Sequence, residues 1–230
     1  MSIKNKVLAA AATMTMVGGV SAVGLLPAQA ATPSCTGCGA YFSQQYAGTA
    51  PGFVLDVLRQ GEKPNQPVIL FRTSNSDPAE DFVTVAEGTV TALNTANAAL
   101  LPPGLVSTYG ADEAYEIEYA PYGVDSNLCV GTNGKAGLGT PVELEWCGVS
   151  SMTIWVVDGP ANATPNVYYP WINGSSTNFD SPYALHYPGN SYPTDGPPRA
   201  VLNTYPLQQY STGAVYNNEM WSGTNVVPPV

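Results

Sequence analysis

Basic side chains are scarce in this sequence. Its 230 residues hold seven Lys and Arg and one His against seventeen Asp and Glu, a formal net charge of −10 at pH 7. Nucleic acids and anionic membrane surfaces need a basic footprint and are excluded as partners. Charge of either sign is thin, at 10% of residues against roughly a quarter in an average globular domain. The single histidine, His186, limits any Ser-His-Asp or Cys-His device to that one residue. No G-x-S-x-G elbow precedes it, and no Gly-rich phosphate loop lies between a strand and a helix. Glu116 and Glu118 share a strand face, which reads as a solvated edge rather than as a glycosidase pair on separate elements. A zinc site needs three or more ligands, and the four cysteines read as disulfide partners. These gaps argue against an enzyme, a bound metal and a cofactor.

Turn-forming and aromatic residues are plentiful. Gly and Pro number 23 and 21, which disfavours long helices and favours short strands joined by turns. Fourteen Tyr, four Trp and five Phe supply a core that a disordered acidic chain lacks. The first thirty residues read as an export signal. Lys4 and Lys6 form a basic start, Val7 to Leu26 is apolar and small, and Ala28-Gln29-Ala30 matches an A-x-A cleavage site. A secreted, extracellular protein is expected, with a mature chain of five Lys and Arg against the same seventeen acids. In that oxidising setting Cys35, Cys38, Cys129 and Cys147 allow three pairings, of which the two local ones need the least loop closure. The CTGC tetrapeptide lies just past the signal, away from the strand-to-helix context of a redox motif, and reads as a small structural loop.

From Gly52 the chain becomes short β-branched or aromatic runs bounded by Gly, Pro, Asn or Ser. The runs are Phe53 to Val57, Pro67 to Phe71 and Phe82 to Val85, then Leu128 to Val130, Pro141 to Leu144 and Ile154 to Val157. Tyr115 to Tyr119 alternates, placing Tyr115, Ile117 and Tyr119 inward and Glu116 and Glu118 outward. Thr91 to Leu101 predicts one short helix before Pro102-Pro103-Gly104. Tyr183 to Tyr187 and Ala200 to Leu202 are further strand pieces in Pro- and Asn-rich loops. Laid over one another, these form three sets: Val54, Val68, Phe82; Cys129, Val142, Trp155; and Ala184, Val201, Trp221. Three divergent copies of one unit bury together a core that none buries alone.

The middle set carries the densest motif. Leu128-Cys129-Val130-Gly131, then Gly139-Thr140-Pro141-Val142-Glu143-Leu144-Glu145-Trp146-Cys147, then Thr153-Ile154-Trp155, resembles one repeat of a ricin-B-type β-trefoil lectin. That family's repeats run from a C-L-D-V start through a G-x-x-V-x-L-W-x-C strand to a Q-x-W end. Gly52 to Val57, Pro67 to Phe71 and Glu80-Asp81-Phe82 look like a second copy without cysteines, and Glu219-Met220-Trp221 closes a third. No copy has Gln at its Q-x-W position. The resemblance implies an all-β chain: a β-trefoil of three divergent repeats over 52–230, after a signal peptide at 1–30 and an N-terminal extension at 31–51. It implies a Cys129–Cys147 disulfide, which leaves Cys35 for Cys38.

A sugar pocket of this family combines a carboxylate, an aromatic platform and a nearby amide. In the first copy Asp56 falls at the Asp position, Phe71 at the platform and Glu80 at the Gln position, while Ala79 stands where an Asn is expected. Asn75 or Asn65 is the candidate replacement for that amide. Gly131 and Glu145 occupy the same positions in the middle copy, which removes its pocket, and His186 stands at the Asp position of the third. One surviving pocket, at Asp56, Phe71, Asn75 and Glu80, is the expectation. The implied partner is a carbohydrate such as a cell-wall glycan. The alternative is a trefoil that has lost its sugar sites and docks another secreted protein as an adaptor or inhibitor. The aromatic loop Tyr168-Tyr169-Pro170-Trp171, expected at the surface, suits either.

Overall fold

The structure is a computed structural model in which residues 37–44, 52–74, 76–148, 150–158, 168–189, 200–209 and 214–223 are described. The signal segment, Cys35 and Asn75 lie outside them. The strands are β1 (Tyr41–Ser43), β2 (Phe53–Val57), β3 (Gln66–Arg72), β4 (Phe82–Thr89), β5 (Glu113–Tyr119), β6 (Leu128–Thr132) and β7 (Thr140–Trp146). They continue as β8 (Ile154–Val157), β9 (Tyr169–Asn173), β10 (Tyr183–His186), β11 (Ala200–Val201), β12 (Asn203–Pro206) and β13 (Met220–Gly223). Two helices, α1 (Val90–Ala96) and α2 (Pro103–Tyr109), interrupt the series between β4 and β5. Among the described residues no helix is long and apolar enough to cross a membrane.

The pairing has a threefold pattern. In each copy the first strand pairs antiparallel with the second: β2 with β3, β6 with β7, and β10 with β12. The fourth strand of one copy pairs with the first of the next: β5 with β6, β9 with β10, and β1 with β2. The second strands also pair among themselves, β3 with β7, β7 with β12 and β11 with β3, and this triangle caps one end. The copies are therefore β2–β5, β6–β9 and β10–β13, and the third takes its fourth strand, β1, from the N-terminal side. Tyr41 to Ser43, which the sequence reading leaves in an extension, pairs with β13 and β2 as part of the barrel. Three residues between turns are too short to announce a strand; the open edges of β13 and β2 recruit them.

Alternation decides what faces inward. Phe53, Leu55, Val57, Val68 and Leu70 point into a core shared with Tyr115, Ile117, Tyr119, Trp155, Trp171 and Trp221. The equivalent residues of the cap are Val68, Val142 and Leu202: Leu202 N–H donates to Val68 O at 3.0 Å, and Val142 N–H to Leu202 O at 2.9 Å. The third copy is thus in register one residue later than the Val201 expected, and Val201 is exposed, because a one-residue slip exchanges the two faces of a strand. Phe82, Trp155 and Trp221 are equivalent as expected. Trp155 Nε1 donates to Val130 O at 2.8 Å and Trp221 Nε1 to Leu185 O at 3.0 Å, while Phe82, with no ring donor, exchanges backbone bonds with Gly39.

Three local expectations change. The predicted helix begins at Val90, capped by Thr89 Oγ1 on Ala92 N–H, and ends at Ala96. A second helix follows, with Pro103 in its first turn. Together they bury Val90, Leu93, Leu101 and Leu105 against Ala114, Ile154, Val156 and Ile172 on the outside of the barrel. Gly104 permits this, since a Cβ there would lie 2.3 Å from the Phe179 ring. Trp171 is not a surface aromatic: strand alternation places it inside, edge-on to Tyr41 at 5.3 Å. Glu116 is buried rather than solvated, covered by the turn that ends at Thr153.

Cys129 and Cys147 form a disulfide across the first two strands of the second copy, with Cα atoms 5.0 Å apart and a sequence separation of 18. Closing a loop of that length contributes roughly 3 kcal/mol. Cys38 is buried and also disulfide-bonded; Cys35, its expected partner, lies outside the described residues.

Candidate functional site

The first two strands of each copy form a hairpin whose outward positions can be compared directly by register. In the first copy Asp56 lies opposite Ile69 and Phe71 opposite Val54, so Asp56 and Phe71 are diagonal neighbours on one face. Phe71 is half-buried and Asp56 is 2% exposed. The chain from Thr73 to Asp81 folds back over this face and ends in a 3-10 turn, Pro78–Glu80. Asp77 caps that turn through Ala79 N–H at 3.0 Å, and also accepts from Gln60 Nε2 at 3.1 Å and Ser74 Oγ at 3.2 Å. Glu80 accepts from Thr73 Oγ1 and from Ser74 N–H, both at 2.8 Å. Carboxylate oxygens of Asp56, Asp77 and Glu80 all lie within 4.8 Å of one another.

Three acids so close cannot all be charged cheaply. Burial, with Asp56 and Asp77 adding to it, pushes the Glu80 carboxyl up to about 8, so it carries a proton at neutral pH. A protonated carboxyl is a donor and an acceptor on one planar group, as an amide is. Glu80 thereby supplies what the Gln of the resembling Q-x-W motif supplies. The same oxygen set is of the kind that holds a hard cation, but the proton already relieves the repulsion, and the trio by itself assigns no metal. The other close group, Glu116 with Cys129 and Cys147, has its sulfurs in the disulfide.

The tie made by Glu80 recurs in each copy. Glu219, two residues before Trp221, accepts from Gln208 N–H at 2.8 Å, and burial pushes it up to about 7. In the second copy Thr153 holds the equivalent position and is too short. Glu116, from β5, reaches in instead: it accepts from Thr153 Oγ1 at 2.7 Å and from the Gly148 backbone, and burial raises it too. A buried carboxyl thus secures the chain after the second strand three times over. This use of Glu116 joins strands distant in sequence, and no local motif announces it.

The other two outer faces are filled. At Gly131 a Cβ would approach Met152 O and Thr153 Cγ2 to 3.0 Å, so the turn before β8 occupies the space where Asp56 stands in the first copy. Glu145, opposite Cys129, takes the platform position. In the third copy His186 lies opposite Asn203, and Tyr205 lies opposite Ala184, which makes Tyr205 the counterpart of Phe71. Sequence reasoning misses Tyr205 because a long loop separates β10 from β11; the alternation of Asn203-Thr204-Tyr205 is the signal that was available. The imidazole stacks on Tyr205 with centroids 4.7 Å apart and planes at 29°. Its Nδ1 lies 2.8 Å from Asn203 Oδ1, which calls for Nδ1–H, and Nε2 accepts from Asn218 Nδ2 at 3.0 Å. Burial lowers its pKa, so the ring is neutral. It covers the aromatic face on which a ligand ring would rest.

The structure therefore brings Asp56, Phe71 and Glu80 together, adds Asp77, and leaves Asn75 outside the described residues. No family model and no curated protein matches the sequence. Solved structures match the fold. A designed 3-fold symmetric protein, ThreeFoil, aligns with a TM-score of 0.52 at 16% identity, over 83% of this chain and 100% of its own. The C-half of an earthworm R-type lectin in complex with GalNAc aligns at a TM-score of 0.42 and 10% identity, over 82% of this chain and 98% of that one. A proteinase inhibitor from Coprinopsis cinerea aligns at 0.43 and 12%, over 83% and 97%. The symmetry of the designed protein is the symmetry of the strand pairing described above, and the chain folds as a β-trefoil of three divergent repeats.

Proposed function

We propose that the chain is an exported carbohydrate-binding protein without enzymatic activity, whose working pocket lies on the outer face of the first copy. Asp56 and Asp77 accept hydrogen bonds from sugar hydroxyls, protonated Glu80 both gives and accepts, Phe71 meets the apolar side of the ring, and Asn75 stands at the edge. The observation that carries this reading is the convergence of Asp56, Asp77, Glu80 and Phe71 on one face, against the filled faces of the other copies. One small pocket with one platform implies an affinity near millimolar, about −4 kcal/mol. The test is a glycan array followed by titration of the mature protein and of Asp56→Asn. Binding by the parent that survives in a folded Asp56→Asn protein moves the pocket elsewhere.

A second reading, a module that docks another exported protein, is favoured by the large apolar side chains left in solvent. Trp146 beside the disulfide is 60% exposed, and Leu138 in the next hairpin is exposed as well. A parent protein that binds no glycan but captures a defined protein through Trp146, lost in Trp146→Ala, selects it.

A further inference from the structure

Tyr122 is held beside the first-copy pocket at a cost to the backbone that packing does not explain. It sits in the turn Pro121–Gly123 with φ at 57°, in the left-handed region that bulky side chains avoid. Gly123, next in the chain, also has positive φ, so the turn already has a glycine and still carries an aromatic residue at its other left-handed position. The side chain is 67% exposed, so burial does not compensate the strain. The turn is fixed to the residue that follows Glu80: Ala120 N–H donates to Asp81 O at 3.0 Å and Tyr122 N–H to Asp81 Oδ2 at 3.2 Å. Gly123 N–H and Val124 N–H close the turn on Ala120 O and Pro121 O at 2.8 and 3.1 Å. A rigid aromatic side chain is thus presented to solvent next to the 3-10 turn Pro78–Glu80, on a loop that belongs to the junction of the first and second copies.

We propose that Tyr122 is a second stacking face that extends the first-copy pocket, so that its ligand is a neutral oligosaccharide rather than a single sugar. The proposal rests on the carbohydrate reading above. A sugar seated on Phe71 between Asp56 and Glu80 has its next residue pass over Asp81 towards Tyr122, whose ring offers an apolar face and a hydroxyl. Asp56, Asp77 and Asp81 line this path, and Glu62 lies close enough to act with three of these carboxylates on Tyr119. An anionic sugar meets like charge along it; a neutral one meets hydrogen-bond acceptors. Strain at an exposed position has a purpose if the ring must already be in place when the chain arrives.

The test uses the mature protein and an array of neutral mono- to tetrasaccharides of galactose, glucose, mannose and N-acetylglucosamine. The best-bound tetrasaccharide and its monosaccharide are then titrated against the parent, Tyr122→Gly and Tyr122→Phe. Tyr122→Gly is expected to weaken the tetrasaccharide roughly two- to tenfold, to leave the monosaccharide unchanged, and to melt no lower than the parent, since glycine adopts this φ freely. Tyr122→Phe is expected to keep most of the tetrasaccharide affinity. Equal binding of tetrasaccharide and monosaccharide by the parent, or an unchanged tetrasaccharide affinity in Tyr122→Gly, overturns the second face while the Asp56 pocket stands. Failure of the parent to bind any glycan overturns the pocket itself, and this extension with it.

Discussion

The first and third copies share a scaffold and differ in what they show to solvent. Both end in a 3-10 turn whose buried Glu, Glu80 or Glu219, holds the preceding chain by a backbone N–H. Both place an aromatic ring, Phe71 or Tyr205, at the same register position of the hairpin. The difference is one residue: an acid at 56, an imidazole at 186. Asp56 is too short to cover Phe71 and recruits Asp77 and Glu80 into a polar cluster. His186 is flat, is fixed at both nitrogens by Asn203 and Asn218, and lies against Tyr205 as a ligand ring would. Identical backbone geometry thus gives an open face in one copy and a self-filled one in the other.

The comparison can be broken or sharpened in four ways. The largest effect is expected in the scaffold itself. Trp221→Ala removes the residue that packs the third copy and faces β1, and should cost about 3–5 kcal/mol in chemical denaturation, consistent with a large side chain lost from a core. Trp221→Phe copies Phe82 of the first copy and leaves Leu185 O without its indole donor, and should cost about 1 kcal/mol in the same assay.

The second concerns pH. The carboxyls of Glu80 and Glu219 bind their protons more tightly when folded than the ordinary value of 4.5. Their contribution to stability is complete below that value and is lost as pH rises through about 7 for Glu219 and about 8 for Glu80. The melting temperature should therefore fall from pH 5 to pH 8, and Glu80→Gln with Glu219→Gln should flatten the fall. A profile that rises with pH over this window contradicts the buried, protonated assignment.

The third is Asp56→Asn, which keeps the shape and removes a charge-assisted bond worth roughly 1.5–3 kcal/mol; from a millimolar start this abolishes measurable glycan binding without lowering the melting temperature. The smallest effect is that of His186→Asp, which transplants the first copy's residue into the third. It gives up a stack worth about 0.5–1.5 kcal/mol and uncovers Tyr205, and titration should then report a second site.

Much of this was legible in the residues. The strand runs, the Phe82, Trp155 and Trp221 equivalence and the Cys129–Cys147 pair follow from alternation and spacing, which act over a few neighbours. Asp56 and Phe71 were legible as a pair because a short hairpin fixes their register. What stayed hidden depends on contacts between distant segments. Asp77 joins the acid cluster only because the loop after β3 folds back. Tyr205 waits on a register that the loop before β11 obscures. Glu116 looks like a solvated charge until Thr153 and Gly148 close over it. Trp171 reads as a surface aromatic beside Tyr168 and Tyr169, and only the pairing of β9 with β8 and β13 turns it inward.

The strand supplied from the N-terminal side sets the order in which the molecule can be finished. Tyr41 pairs with Gly223, Phe42 with Ser222 and Ser43 with Trp221, contacts that span nearly the whole chain. A segment made early waits for the last strand before it has a partner on that side, and until then β2 has an open edge. Loop-closure entropy makes such long-range pairing slow. A chain threaded outward from its N-terminus would hold β1 unpaired through most of its passage, so final closure belongs to the far side of the membrane. Folding of the released chain should show a slow last phase that reports the burial of Trp221, and a chain shortened before Met220 should leave two sticky edges exposed at once.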